Sequence, residues 1–303
     1  MVYDLIIIGG GPAGLTAAIY GVRAGLNTLV LEKKPINGGQ ISATSVVENW
    51  PGIKSISGMD LANSMAEHVL SLGVEIKNMC EVQEAELSGK IKKIKTNYGE
   101  FESKTVIIAT GCSEKKIGVK GEEELKGAGV SYCSICDAPF TKGKIVAVIG
   151  GGNSALEEAE YLSSFGSKIY LIHRREEFRA DKAVINKVQS NKKIEFLLNK
   201  TVSEIIGKKK VESIKLKDTQ SGKESELKID FVFVFIGMDP NTEIFKEVKK
   251  DQNRYLLADK EFSTNLEGVF VAGDVRSEAT KQVVVACSDG AVAALSARNF
   301  ITH

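Results

Sequence analysis

The chain has 303 residues, 43% of them hydrophobic and 26% charged, and a net charge of +1, which is typical of a soluble globular protein. This near-zero charge gives no global attraction to nucleic acid or an acidic membrane, so neither is expected as a partner. No secretory signal and no run of roughly 18 apolar residues is visible, and an odd number of cysteines disfavours a disulfide framework, so a cytoplasmic location is predicted.

The N-terminal segment is typical of a βαβ unit. An apolar strand over Asp4–Ile8 leads into Gly9-Gly10-Gly11-Pro12-Ala13-Gly14. A helix is predicted from Pro12, a residue suited to the first helical turn, to about Ala24, and a second strand covers Asn27–Leu31.

These glycines predict a nucleotide site. Gly9 permits the tight turn, Gly11 lets the backbone approach a pyrophosphate, and Gly14 allows the helix to pack closely on the strand. The helix N-terminus would offer free N–H groups to the phosphates. Glu32, at the end of the second strand, would accept hydrogen bonds from ribose hydroxyls and repel a 2′-phosphate.

The same unit recurs in the second half of the chain. The strand Ile145–Ile149 leads into Gly150-Gly151-Gly152-Asn153-Ser154-Ala155, then a predicted helix from about Ser154 to Phe165 and a strand over Lys168–Ile172. The second strand ends at His173-Arg174-Arg175, with Arg179 close behind and no acid in the position of Glu32. Because guanidinium groups pair well with phosphate, this favours NADPH over NADH. The alternative is an exposed basic helix start balanced by Glu176 and Glu177, and for His173 a packing role is equally open.

Alternating runs typical of β-meanders follow each unit, and Leu227–Phe235 is predicted as one strand. The tail, residues 262–303, resembles neither repeat; it contains Val269–Asp274 and a long helix from about Lys281. Gly273-Asp274 and the positive end of that helix suit a flavin. The predicted fold class is α/β, with two Rossmann-like, three-layer ββα domains. The second domain, 115–239, is inserted into the first, 1–114 and 240–303.

Between the two fingerprints lies Cys133-Ser134-Ile135-Cys136-Asp137. Such a pair can close a small disulfide loop and exchange it with another thiol, and Asp137 would shuttle a proton. Half of a zinc site and an inert buried pair are the alternatives. Zinc is disfavoured because the other cysteines are single and no histidine pair exists, so no metal is expected.

Several motifs of this chain occur together in one known family. They are Gly9 to Gly14, Gly38-Gly39-Gln40, residues 47–52, Ala109-Thr110-Gly111, Cys133 to Asp137, Gly150 to Ala155 with Glu157-Glu158-Ala159, His173 to Ala180, and Gly273-Asp274-Val275. On these motifs the chain resembles, over essentially its full length, the low-molecular-weight thioredoxin reductases of bacteria and archaea. These belong to class II of the pyridine nucleotide-disulfide oxidoreductases.

The resemblance implies an enzyme that uses FAD and NADPH. NADPH would reduce FAD, the reduced flavin would reduce the Cys133–Cys136 disulfide with Asp137 as acid or base, and the dithiol would reduce thioredoxin. A homodimer is also implied. The FAD-binding residues would be Gly9, Gly11, Pro12, Ala13, Gly14, Glu32, Lys33, Gly39, Gln40, Asn49, Val82, Thr110, Gly111, Gly273, Asp274, Lys281, Gln282 and Val283. The NADPH-binding residues would be Gly150, Gly152, Asn153, Ser154, His173, Arg174, Arg175, Arg179 and Gly237.

The sequence departs from the family pattern at several positions, among them Ile135 and Glu267. Lys281 stands where many relatives have arginine, and Arg254 replaces a frequent glycine before Tyr255. Two other functions remain open: a related flavin reductase with a different disulfide or protein partner, and a non-enzymatic nucleotide sensor.

Overall fold

The structure, a computed structural model, describes residues 1–44 and 47–302, without the side chains of residues 43, 135 and 136. The chain divides into two units, Met1–Ser113 with Asp239–His303, and Glu114–Met238. These bounds differ by one residue from the predicted domains.

The first unit contains one mixed sheet of seven strands, with order β3-β2-β1-β6-β5-β4 and β17 beside β6. Its strands are β1 Val2–Ile8, β2 Thr28–Leu31, β3 Glu75–Lys77, β4 Val82–Glu86, β5 Lys92–Thr96, β6 Gly99–Ile108 and β17 Val269–Val271. Its helices are α1 Pro12–Arg23, α2 Gly58–Ser71 and α6 Val283–Thr302, with short 3-10 helices over Ile41–Ala43 and Gly273–Val275.

The central strands of this unit are parallel and buried on both faces, which explains their continuous apolar runs. Leu5 and Ile7 of β1 pack with the helical layer of α1 and α6. Ile6 and Ile8 face the opposite layer, which includes Ile94 of the β4–β5 hairpin. The result is the predicted three-layer arrangement.

The second unit has a five-stranded parallel sheet, β11-β10-β9-β15-β8, and a three-stranded meander, β12-β13-β14. The strands are β8 Val130–Ser131, β9 Ile145–Gly150, β10 Lys168–Ile172, β11 Ile194–Leu197, β12 Lys200–Ile206, β13 Ser213–Asp218, β14 Glu224–Lys228 and β15 Phe231–Phe235. The helices are α3 Ser134–Asp137, α4 Asn153–Ser163 and α5 Lys182–Gln189, with a 3-10 helix over Ala138–Thr141. The chain passes between the units at β7 Cys112–Glu114 and β16 Met238–Pro240, which pair with each other.

The two parallel sheets have the same strand order, and the fold-class prediction is confirmed. The tail, residues 262–303, is predicted to resemble neither repeat, but part of it has a counterpart in the second unit. Its strand β17 lies beside β6, as β8 lies beside β15 in the second unit, so the duplication extends to a strand that sequence comparison missed. A strand of two or three residues carries too little pattern to be recognised from the sequence.

Several predicted boundaries are corrected. The single strand predicted over Leu227–Phe235 is two strands, because the chain turns at Ile229 and Asp230. At this turn the Asp230 carboxylate accepts a hydrogen bond from the Ile145 N–H at 2.9 Å. The helix predicted over 154–165 begins and ends earlier, and the C-terminal helix begins two residues later, at Val283.

Helix α6 is also long and apolar enough, by length and composition, to cross a membrane. One face of it is buried, however: Ala293, Ala294 and Ala297 pack with α1 in the core of the first unit. We therefore interpret α6 as a core helix.

Candidate functional site

A cavity of ≈ 260 Å³ opens in the first unit at the carboxyl ends of the parallel strands. This is the edge at which open α/β sheets bind their ligands. Fourteen of the predicted FAD-binding residues line it: Gly9, Gly11, Pro12, Ala13, Glu32, Gly39, Gln40, Thr110, Gly111, Gly273, Asp274, Lys281, Gln282 and Val283.

Two of the glycines are required by contacts within the protein. Gly9 has φ +115°, and a Cβ there would lie 2.3 Å from the carbonyl oxygen of Ala109. A Cβ on Gly14 would lie 1.9 Å from the carbonyl oxygen of Gly9, so Gly14 allows α1 to pack against the turn without lining the cavity.

Gly11 has a different role. Its φ of −79° suits any residue, and the nearest atom to a Cβ there is the Gly39 Cα, at 3.9 Å. Neither backbone strain nor a protein contact explains the missing side chain. The free space lies on the cavity side of the α1 N-terminus, where no side chain caps the helix. A pyrophosphate fits this arrangement of open space and free N–H groups.

Glu32 is buried, and both of its carboxylate oxygens bind backbone. They accept hydrogen bonds from the N–H of Gly10, at 2.5 Å, and of Lys34, at 2.7 Å. The carboxylate therefore holds the glycine turn while it lines the cavity.

Asp274 and Lys281 also line the cavity. Burial raises the pKa of Asp274, and the positive charge of Lys281 opposes that rise. Lys281 stands where the family pattern has arginine. Its Nζ donates a hydrogen bond to the Tyr255 hydroxyl at 2.7 Å, which holds the lysine side chain in place. The adjacent Arg254 has φ +70° and forms ion pairs with Asp239 at 3.2 Å and Glu243 at 3.5 Å. A positive φ favours glycine, the residue expected here from the family pattern.

Three other predicted FAD contacts do not line the cavity. Lys33 is exposed and pairs with Glu81 at 2.6 Å, Val82 lies on β4, and Asn49 Nδ2 donates a hydrogen bond to Gln282 Oε1 at 3.0 Å.

Asn241 lines the cavity and was missed by sequence reasoning. Its Nδ2 donates a hydrogen bond to the Thr110 carbonyl at 2.8 Å, and its own carbonyl accepts one from Thr110 Oγ1 at 2.7 Å. No sequence signal marks Asn241, because its partners lie in a distant part of the chain.

Cys112 also lines the cavity, and burial raises the pKa of its thiol to about 11.

The second fingerprint repeats this geometry in the second unit. A Cβ on Gly150 would lie 2.3 Å from the Phe235 carbonyl oxygen, whereas one on Gly152 would meet nothing within 4 Å. Gly152 precedes α4, which has no side-chain cap. Asn153 exchanges hydrogen bonds with Asp181, Ser154 is exposed, and the carbonyl of Gly237 accepts a hydrogen bond from the Lys115 N–H at 2.9 Å.

His173 has a packing role here. Its ring is buried and stacked on Phe178, with 5.3 Å between centroids, and it lies where a Cβ of Gly151 would be. Its Nε2 lies 3.1 Å from the Glu177 carbonyl oxygen. Burial is the main cause of its lowered pKa, so the ring is neutral near pH 7. The ring therefore packs against Gly151 of the second turn, whereas Glu32 is hydrogen-bonded to Gly10 of the first.

The three arginines lie in the loop between β10 and α5. Arg174, Arg175 and Arg179 are exposed, and none forms an ion pair with a residue that the structure describes. The alternative of a basic helix start balanced by Glu176 and Glu177 is therefore wrong, because this segment is not helical and the pairs are absent among the described side chains.

Cys133 is disulfide-bonded, and Cys80, Cys112 and Cys287 are free and buried. The Cys136 side chain lies outside the described residues, so its pairing with Cys133 stays a prediction.

Asp137 ends α3 and lines a second cavity of ≈ 420 Å³ within the second unit, together with Phe140, which is 70% exposed. No group of three metal-binding side chains occurs within the part of the chain that is described.

Comparison with known proteins gives full-length similarity. The family model of the pyridine nucleotide-disulphide oxidoreductases matches residues 3–290. The thioredoxin reductase of Bacillus subtilis (strain 168) is 44% identical over 302 residues, which cover 99% of this chain and 95% of the relative. The crystal structures of the thioredoxin reductases of Lactococcus lactis and T. acidophilum match with TM-scores of 0.89 and 0.87, at 39% and 36% identity, over 99% of each chain.

Proposed function

Because the chain belongs to the pyridine nucleotide-disulphide oxidoreductase family, we propose that it is an NADPH-dependent thioredoxin reductase. The observation that carries this proposal is the disulfide-bonded Cys133, which lies in the same unit as the second nucleotide fingerprint. A nucleotide sensor needs no redox-active sulfur, and a flavin reductase without a dithiol needs none either. Both leave this cysteine pair unexplained. A related flavin reductase that acts on a different disulfide partner would also use the pair, and an assay with thioredoxin as the substrate distinguishes it from the proposed enzyme.

The cavity in the first unit is the proposed FAD site. Gly11 and the uncapped N-terminus of α1 would hold the pyrophosphate, and Glu32 would face the ribose. Asp274 and Lys281 would contact the flavin end, where the Lys281 ammonium favours negative charge.

The second fingerprint is the proposed NADPH site. Gly152 and the N-terminus of α4 would hold its pyrophosphate. The exposed Arg174, Arg175 and Arg179 would bind the 2′-phosphate, since guanidinium groups that form no ion pair with a described residue lose little by turning toward a phosphate. His173 would act indirectly, by supporting the glycine turn.

When bound, NADPH and FAD supply the two-electron chemistry that side chains lack. The protein residues supply the sulfur and the protons. Reduction of the Cys133–Cys136 disulfide takes two electrons and two protons, and Asp137 is positioned by sequence to donate one of these protons. One thiolate of the pair then attacks the disulfide of thioredoxin, and the second thiol displaces the reduced partner, so that one disulfide forms as the other is broken.

Thioredoxin would dock beside this dithiol. Phe140 is a large exposed apolar side chain in the segment that follows Asp137, and Lys210 lines the same cavity. We also propose a cytoplasmic homodimer. The exposed apolar residues Val284, Val292 and Leu295 of α6 would lie at its interface.

The test replaces each cysteine of the pair. In Cys133→Ser and Cys136→Ser, the rate of thioredoxin reduction should fall by at least about 1,000-fold, because the disulfide can no longer form. Bleaching of bound flavin by NADPH in the stopped-flow should persist. Cys80→Ala, which removes a buried free thiol outside both fingerprints, is the matched control and should retain turnover. Undiminished thioredoxin reduction in both serine variants would refute the proposal.

A further inference from the structure

A buried hydroxyl lies between the two cysteines of the redox pair. Ser134 is 2% exposed and is the first residue of α3. Its hydroxyl donates a hydrogen bond to Oε2 of Glu158, a residue 24 positions further along the chain. The Cys-x-x-Cys segment is thereby attached to α4, the helix that begins at the second fingerprint.

Glu158 is a carboxyl group that no cation of the described part of the chain pairs with. It is partly buried, burial is the main cause of its raised pKa, and the neighbouring charge of Glu157 adds to the rise. No ion pair joins it to a described residue. The charged residues on the elements that pack against α4 are Asp137, Lys168, Lys182, Lys187 and Glu195. Two of these lysines are engaged elsewhere: Lys187 pairs with Glu160 at 2.7 Å, and Lys168 with Glu195 at 2.8 Å.

We propose that Glu158 is a positioning residue for the dithiol that acts through Ser134. This inference rests on the proposed redox function of Cys133 and Cys136. The hydrogen bond ties Ser134, the residue that follows Cys133 in the chain, to α4. When ionised, the Glu158 carboxylate brings to Ser134 a negative charge that no described residue balances in an ion pair. A nearby like charge disfavours thiolate formation. Because thiolate character stabilises the reduced state, the carboxylate keeps the pair a stronger reductant toward thioredoxin.

The experiment removes the charge and retains the hydrogen bond. In Glu158→Gln the amide oxygen still accepts the Ser134 hydroxyl, and the side-chain volume is nearly unchanged. The reduced holoenzyme is alkylated with iodoacetamide across a pH series, and modification of the Cys133–Cys136 peptide is followed by mass spectrometry. The midpoint should move down by about 0.5–1 pH unit relative to the native enzyme.

Glu157→Gln is the matched control, because Glu157 is exposed and adjacent on the same helix. Its midpoint should move much less than that of Glu158→Gln, because the charge of Glu157 reaches the pair only through its effect on the pKa of Glu158. In a second measurement, equilibration with a glutathione buffer should give Glu158→Gln a larger reduced fraction of the pair than either other protein. Coincident midpoints and coincident reduced fractions in all three proteins would overturn the inference.

The two proposals fail in different ways. If Cys133→Ser still reduces thioredoxin, the proposed function itself is wrong. If Cys133→Ser is inactive and Glu158→Gln titrates like Glu157→Gln, only the role of Glu158 is lost.

Discussion

Single side chains distinguish the two nucleotide sites, which otherwise share one geometry. At the end of the second strand, the first site has Glu32, which bonds to the N–H of the middle glycine of its turn, and the second has His173, whose ring packs against the middle glycine. The residues beyond them differ, since Arg174 and Arg175 follow His173 and are exposed. Selectivity for a phosphorylated nucleotide should therefore depend on the arginines rather than on the histidine.

Replacing Arg174 and Arg175 with glutamine should raise KM for NADPH far more than for NADH. If each charge-assisted contact to the phosphate contributes about 1.5–3 kcal/mol, the loss per contact is roughly 10- to 150-fold. Steady-state kinetics with both nucleotides measures it. Lys192→Gln, which removes an exposed cation elsewhere in the second unit, should change neither KM. Equal increases for NADPH and NADH would contradict the phosphate assignment.

At the scale of elements, each fingerprint is a strand, a turn and a helix. A single methyl group, the Cβ at position 14 or 155, affects how closely the helix can pack on the turn. In the first, a Cβ on Gly14 would meet the Gly9 carbonyl oxygen at 1.9 Å. In the second, Ala155 occupies the matching position and is buried without disrupting α4. This position therefore requires glycine in the first turn and accepts alanine in the second.

Gly14→Ala should lower the free energy of unfolding by about 1–3 kcal/mol, because helix α1 must move away from the turn. It should also reduce the FAD content of the purified protein, read from the ratio of flavin to protein absorbance. Ala155→Gly is the reciprocal control, with an expected cost of about 1 kcal/mol from helix propensity and normal FAD content. Native stability and flavin content in Gly14→Ala would contradict this view of the turn.

At the scale of the whole molecule, each unit holds one redox centre under the proposed function. FAD would occupy the first unit, and the Cys133–Cys136 pair lies in the second. Anaerobic dithionite titration of the holoprotein should therefore require four electrons, two for the flavin and two for the disulfide. Cys133→Ser provides the control and should require two. A native endpoint of two electrons would exclude the disulfide from the electron path.

The sequence by itself determined the fold class, because the periodic apolar strands, the glycine turns and the repeated βαβ order are local patterns that it records directly. Through the resemblance to a known family it also identified most of the cavity lining, because Gly11, Gln40 and Asp274 belong to motifs that this family shares.

Only the tertiary structure decided which partners meet across the chain. The Thr110–Asn241 hydrogen bonds, the stacking of His173 on Phe178 and the Ser134–Glu158 contact leave no local pattern. These contacts arise when the parallel sheet brings separate strand ends and helices together. Their physical cause is burial, which requires each polar group removed from water to find a partner wherever the fold supplies one.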